Sequence, residues 1–293
     1  MEIPQTIKIS FVILNFNREK ELLHTIKKTY DLMQGKYDYE IIVVDNASAD
    51  GSISAVKAAF PAVKLIERTK NIGVAGWNDG FAHAVGAYMV VLDDDSNVES
   101  GLDSAIHYMD LHDEVGVLGL NITGGAFQTD DHIDLQDYTD FIGCGAIIRK
   151  KLYDKIGGFA EWLFIYTHEW EYGLRCLDAG YKVRYYASCH IIHRTSALNR
   201  TPKRLKVFST RNELAIVYKY FSEETRGKYM NRVILNNIKG VYKYGLHTIP
   251  WFFEAYKEFK KLKGQLVHTP VKREIEDFSG KNIGSTRPFL NIY

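Results

Sequence analysis

The first 110 residues change hydrophobic period four times, and this rhythm restricts the fold more than any other feature. "KISFVILN" (8–15) is a β-branched and aromatic run of strand length, after which Leu22, Leu23, Ile26, Tyr30 and Met33 recur on one helical face. The pattern returns with "EIIVV" (40–44) before Ile53, Val56 and Phe60, and with "VKLIE" (63–67) before a helix from about Ala75. It returns once more with "AYMVVL" (87–92) before Leu102, Ile106 and Met109. Strands alternating with helices predict an α/β protein whose Rossmann-like, mostly parallel sheet is flanked by helices. Ligands of such sheets bind outside the carboxyl ends of the strands. Asn15 to Asn17, Asp45 with Asn46, and Asp93 to Asp95 all fall at that edge.

Beyond Asp110 the rhythm weakens. "EVGVLGLNI" reads as a further strand, "GGAFQTDDHIDLQDY" as a polar, turn-rich stretch, and "TDFIGCGAIIRKKL" as a strand entering a helix. Trp170, Leu174 and Leu177 predict a helix from about His168 that stops at Gly180, followed by the strand-like "YKVRYYASCHIIH". From Lys203 to Lys263 the chain holds fourteen Lys or Arg against five Asp or Glu, with many tyrosines, which predicts a basic helical appendage. The expected organisation is a domain over 1–202, with halves 1–110 and 111–202, and a helical C-terminal region over 203–293.

A formal net charge of +1 gives no global case for a nucleic acid partner. Cys144, Cys176 and Cys189 are odd in number and widely spaced, fitting neither a disulfide framework nor a thiolate zinc site. With no basic, apolar leader and no apolar run of about 18 residues, the expected location is cytoplasmic.

Two short stretches carry chemistry. In "VVLDDDSNV" (90–98) a buried strand runs into three adjacent carboxylates, whose repulsion a divalent cation would offset, although a solvated acidic turn reads equally well. In "NIGVAGWNDG" (71–80) glycines at 73, 76 and 80 open a helix. They suit either close approach of backbone amides to a phosphorylated ligand or tight packing of helix on sheet.

Taken in order, "VILNFNR", "EIIVVDNASADGS", "NIGVAGWNDG", "LDDD", "FIGCGAIIRKKLYDKIGGF" and "HEWEYGLRCLDAGY" resemble the family-2 glycosyltransferases of GT-A fold. The likeness is to bacterial surface-polysaccharide or rhamnosyltransferase types, and covers about residues 7–215. It implies an inverting, metal-dependent enzyme that moves a sugar from a nucleoside diphosphate donor, a UDP- or dTDP-sugar, to a hydroxyl of a glycan or lipid-linked acceptor. It further implies that Phe16, Asn17, Asp45, Asn78, Asp93 and Asp94 bind the donor, with Asp45 accepting from the base. Asp95 and His193 would hold Mn2+ or Mg2+, and Glu169 would be the general base. By local sequence Asp45 reads equally as an Asx turn or helix cap with Ser48. Glu169 and Glu171 also read as acids at a helix N-terminus. His168 stands where the family places an acid. His190 and His193 point to opposite faces of a strand, so one alone reaches the site. Arg211 reads as facing the diphosphate or a helix terminus, and Trp77, Trp162 and Trp170 as sugar-stacking walls or core.

Two other functions share some of these features. A sugar-nucleotide nucleotidyltransferase would carry a Gly-rich basic loop after the first strand, where this chain has "NFNREKE"; a glycan- or nucleotide-binding module would need no base. The stretch "YKYGLHTIPWFFEAYKEFKKLKG" (242–264), interrupted by Pro250, suits peripheral contact with the inner face of the plasma membrane, homodimerisation or plain packing.

Overall fold

The computed structural model describes residues 7–124, 128–129, 131–194 and 201–283. Residues 1–6, part of the polar stretch 124–138, the approach to the boundary at 202 and the last ten residues of the C-terminal region lie outside them.

The alternation read from the sequence is the framework of the fold. It runs β1 (Ile9–Asn15), α1 (Glu19–Met33), β2 (Tyr39–Asp45), α2 (Ser52–Ala59), β3 (Lys64–Glu67), α3 (Trp77–His83) and β4 (Tyr88–Asp93). A short strand not expected from the sequence, β5 (Ser96–Ser100), then precedes α4 (Leu102–Leu111). Its sequence, SNVES, is polar, and it is a strand because Ser96 pairs with His193 at the far end of the domain.

The second half continues with β6 (Val115–Thr123), β7 (Asp137–Tyr138), β8 (Ala146–Arg149), α5 (Lys150–Ile156), α6 (His168–Asp178) and β9 (Lys182–His193). Helices α7 (Pro202–Tyr220), α8 (Glu223–Tyr244), α9 (Ile249–Lys263) and α10 (Arg273–Asn282) complete the described chain. Among the described residues no helix is long and apolar enough to cross a membrane.

Among the described residues nine strands form one sheet in the order β3-β2-β1-β4-β8-β6-β9-β5, with β7 also paired to β9. The first four are parallel, whereas β8 runs antiparallel to both β4 and β6. Strand β9 is parallel to β6 and antiparallel to β5 and β7. This reversal brings the end of β9 beside the end of β4, which sets His193 next to the acidic triplet.

Alternate residues of β1 and β4 bury Phe11, Ile13, Val90 and Leu92 on one face, and Val12, Met89 and Val91 on the other. A third core joins Trp170 and Leu174 of α6 to Leu214–Val217 of α7, Val233 of α8, Phe259 of α9 and Ile275 of α10. Each such side chain contributes about 1.5–3 kcal/mol on burial, so the C-terminal helices are anchored to the helix that carries Glu169.

Candidate active site

A cleft of about 470 Å3 opens at the carboxyl ends of β1 and β4. Phe16, Asn17, Asp93, Asp94, Glu169 and His193 line it together, although they come from four separate parts of the sequence.

Asp93 ends β4, and the chain turns sharply there: its amide donates to Ser96 Oγ at 2.9 Å. Asp94 accepts from the Phe16 amide at 3.1 Å, while Arg18 Nη1 lies 2.9 Å from Asp94 Oδ1 and 2.8 Å from Asp95 Oδ2. Burial raises the Asp94 pKa to about 7; Arg18 pulls it down and the adjacent Asp95 and Asp93 push it up. Arg18 responds in turn, since burial opposes its charge but Asp94 and Asp95 outweigh this and raise its pKa. The offset to the clustered acids is therefore in part a guanidinium, which sequence reading did not single out.

Asp95 is fully buried and does not line the cleft. Its Oδ1 stands 3.1 Å from His193 Nε2, which is also 3.9 Å from Asp93 Oδ2. Cys144 Sγ approaches the other imidazole nitrogen at 3.7 Å. Ligand atoms of Asp93, Cys144 and His193 lie within 4.8 Å of one another, so a cation can be reached by three side chains at the cleft wall. Carboxylate oxygen and imidazole nitrogen suit Mn2+; the thiol is a softer neighbour than Mg2+ ordinarily accepts. His190, three residues earlier on β9, is exposed on the other face.

Glu169 enters from the opposite wall, in the first turn of α6. Its Oε1 accepts from the Gly143 amide at 3.2 Å, and Oε2 has no hydrogen bond. Gly143 has no Cβ because one would press on His168 Nε2 and Glu169 Oε1. Burial raises the Glu169 pKa to about 7. His168 Nδ1 lies 3.1 Å from Glu169 Oε2, but burial pushes the imidazole down to about 3, so it is neutral at working pH. Glu171 faces away and is tied to Arg175 at 2.8 Å and to the Tyr220 hydroxyl.

Other expected positions have structural duties. Asn78 does not line the cleft, a correction to its expected place at the donor: its amide donates to Phe159 O and accepts from Phe159 N, both at 2.8 Å. Asp45 is buried and accepts from Asn15 Nδ2 at 2.7 Å and from the Ser48 amide at 2.8 Å, the local turn that its sequence also allowed. Arg211 does not face the cleft either; it donates to the carbonyls of Trp162 and Leu163. Trp77 lines the cleft but is almost fully buried, and its indole donates to Leu92 O at 3.1 Å. Trp170 is core, donating to Ser279 Oγ at 2.6 Å, while Trp162 packs against the C-terminal core.

The glycine block divides in the same manner. Gly76 and Gly80 let α3 sit against Leu14 and Val12 of β1, which is packing. Gly73 lines the cleft with φ 68°, and a side chain there would collide with the Phe164 carbonyl. That carbonyl accepts from the Val74 amide at 2.8 Å, joining the 71–74 loop to the 164–167 loop across the cleft. Phe164, Tyr166 and Thr167 all have positive φ, a strained backbone held by Asn212 Nδ2, which donates to the carbonyls of Leu163, Ile165 and Tyr166. Sequence reading attached no such role to Asn212.

A carboxylate turn after the fourth strand, facing a buried acid at a helix start, is the arrangement to which comparison with known proteins can be put. The sequence model of glycosyl transferase family 2 matches residues 10–157, half of the chain. The chain belongs to this family. As a family-2 glycosyltransferase it is 28% identical over 207 residues to the uncharacterized glycosyltransferase YwdF of Bacillus subtilis, covering 64% of this chain and 74% of that one. Its fold resembles S. aureus TarS 1-349 in complex with UDP-GlcNAc, with a TM-score of 0.62 at 16% identity over 93% of this chain and 84% of that one. It spans 50% of the longer TarS chain. It also resembles the mannosyltransferase PcManGT of Pyrobaculum calidifontis in complex with GDP-Man and Mn2+, with a TM-score of 0.58 at 15% identity over 98% of this chain and 86% of that one. The fold is GT-A, and the protein is an enzyme of the glycosyltransferase class.

Proposed function

We propose that this glycosyltransferase moves a sugar, with inversion, from a nucleoside diphosphate sugar to a hydroxyl of a glycan or lipid-linked acceptor in polysaccharide synthesis. The observation that carries the reading is the opposition, across one cleft, of the Asp93–Asp94 turn and Glu169, a carboxylate poised to gain a proton near neutral pH. TarS and PcManGT, solved with UDP-GlcNAc and with GDP-Man and Mn2+, support a sugar nucleotide as donor.

In this reading the donor diphosphate lies toward Asp93 and Asp94, with the Phe16 to Arg18 loop over its nucleotide. Asp45 holds that loop through Asn15 and Ser48. Asp93 and His193, backed by Asp95, would hold Mn2+ or Mg2+, which when bound supplies Lewis acidity to the leaving nucleoside diphosphate. Glu169 Oε2 takes the proton of the acceptor hydroxyl while that oxygen bonds to the anomeric carbon. The bond from this carbon to the diphosphate breaks on the opposite side, so configuration inverts after one displacement. One base suffices, unlike the two carboxyl groups of glycoside hydrolysis. The macrodipole of α6 and the Gly143 amide favour the ionised carboxylate against its burial.

Thermal shift against UDP-, dTDP- and GDP-sugars, with and without Mn2+, tests the reading, because a ligand bound only by the folded state raises Tm. One sugar nucleotide should raise Tm in a Mn2+-dependent manner and be turned over. If none does either, the reading fails.

A further inference from the structure

The corner between α8 and α9 is the part of the surface that sugar transfer does not explain. Helix α8 ends at Tyr244, Gly245 turns with φ 102°, and Pro250 stands in the first turn of α9, where its missing amide proton is no loss. Pro250 therefore starts a helix, and the stretch 242–264 is a bent corner with Leu246 at its tip.

Large apolar side chains gather there in the open. Leu235, Ile238 and Tyr242 recur along one face of α8, Leu246 follows in the turn, and Phe253 lies on α9; Tyr242 is 97% exposed and Leu246 76%. Along α8 past Glu224 and through the turn the charge has one sign, while Glu254 beside Phe253 on α9 is ion-paired to Lys203 at 2.8 Å. No Asp or Glu occurs between Glu224 and Glu254, whereas that stretch holds Arg226, Lys228, Arg232, Lys239 and Lys243. Lys239 and Lys243 are exposed beside the apolar face.

We propose that this corner docks on an anionic phospholipid bilayer. Tyr242, Leu246 and Phe253 enter the headgroup layer while Lys239 and Lys243 meet lipid phosphates, the division of labour of an interfacial amphipathic surface. A second copy of the chain is the poorer occupant, since a two-fold contact through this face would oppose lysine to lysine. Helix α7 packs against both α8 and α9 and carries Arg204 on the cleft wall, so docking would set the cleft beside the membrane. This rests on the corner's own geometry and charge; only the benefit to a lipid-linked acceptor depends on the proposed chemistry.

The test is flotation with vesicles of phosphatidylcholine alone and of phosphatidylcholine mixed with phosphatidylglycerol. Binding to the mixed vesicles alone, weakening as salt rises, supports the proposal; equal binding to both, or to neither, overturns it. L246D/F253D and K239E/K243E should each lower partition at least about tenfold, with circular dichroism and any nucleotide-induced Tm shift unchanged. The lysine variant alters exposed positions only, so it remains informative if the first misfolds. Undiminished binding by K239E/K243E, or a dimer in light scattering that L246D dissociates, overturns the proposal in favour of another contact. A failed donor shift beside intact flotation would sink the proposed chemistry and leave the docking surface standing.

Discussion

Arg18 and Asp95 are 77 residues apart in sequence, yet Arg18 Nη1 stands 2.8 Å from Asp95 Oδ2 and reaches Asp94 with the same nitrogen. One guanidinium therefore answers two buried carboxylates. R18A should lower unfolding stability by about 3 kcal/mol in metal-free buffer, because buried acids lose their partner. Urea denaturation measures this, and Mn2+ should restore part of the loss. A metal-free R18A protein as stable as wild type would show that the pair contributes nothing.

The turnover of the enzyme should fall on its acidic side with a midpoint near pH 7, well above an ordinary glutamate, because Glu169 accepts a proton only when ionised. E169Q should keep donor-induced Tm shifts and lose turnover by at least about a hundredfold. A pH profile flat to pH 5 contradicts this role.

The same carboxylate links stability to pH. Its folded pKa of about 7 stands above the ordinary 4.5 of a glutamate, so its contribution is fully present below about pH 4.5 and is lost as pH rises through 7. E169Q should therefore be more stable than wild type at pH 8, by on the order of 3 kcal/mol, and no more stable at pH 4. Paired urea titrations at the two pH values give the comparison.

Asn212 should act on catalysis without touching substrate. N212A leaves three carbonyls of the strained 163–166 segment without their donor, so stability should drop by about 1–3 kcal/mol. The donor KM should rise several-fold with a smaller change in kcat, since the loop shapes the cleft and does not move protons. An unchanged KM would separate this loop from donor binding.

D93A and H193A should each weaken Mn2+ binding at least tenfold in calorimetry, and C144A should do so less, because a thiol is a poor partner for a hard cation. Equal affinity in all three variants would move the cation elsewhere.

Much of the fold could be read from residue order because periodicity is local. A switch from period 2 to period 3.6 locates β1 to β4 and their helices, and an acidic run after an apolar strand marks the binding edge. Strand β5 escaped because nothing in SNVES signals burial; pairing with the end of β9 makes it a strand. Asn78 misled for a related reason, whereas Arg211 took the helix-terminus place that its sequence also allowed. An amide or guanidinium suits a ligand and a backbone carbonyl equally well, and only the fold reveals which lies within reach.

Residue order by itself determined the alternating architecture, the acidic turn at the sheet edge and the helix that begins with His168 and Glu169, since each depends on neighbours a few positions away. Tertiary structure alone decided that Arg18 offsets the acids, that Glu169 is desolvated and that Asn212 holds a strained wall. Each of these depends on contacts between distant parts of the chain, namely the pairing of β1 with β4, Gly143 against the start of α6 and α7 against the 163–166 segment, and dielectric burial is a property of everything packed around a group, not of its place in the chain.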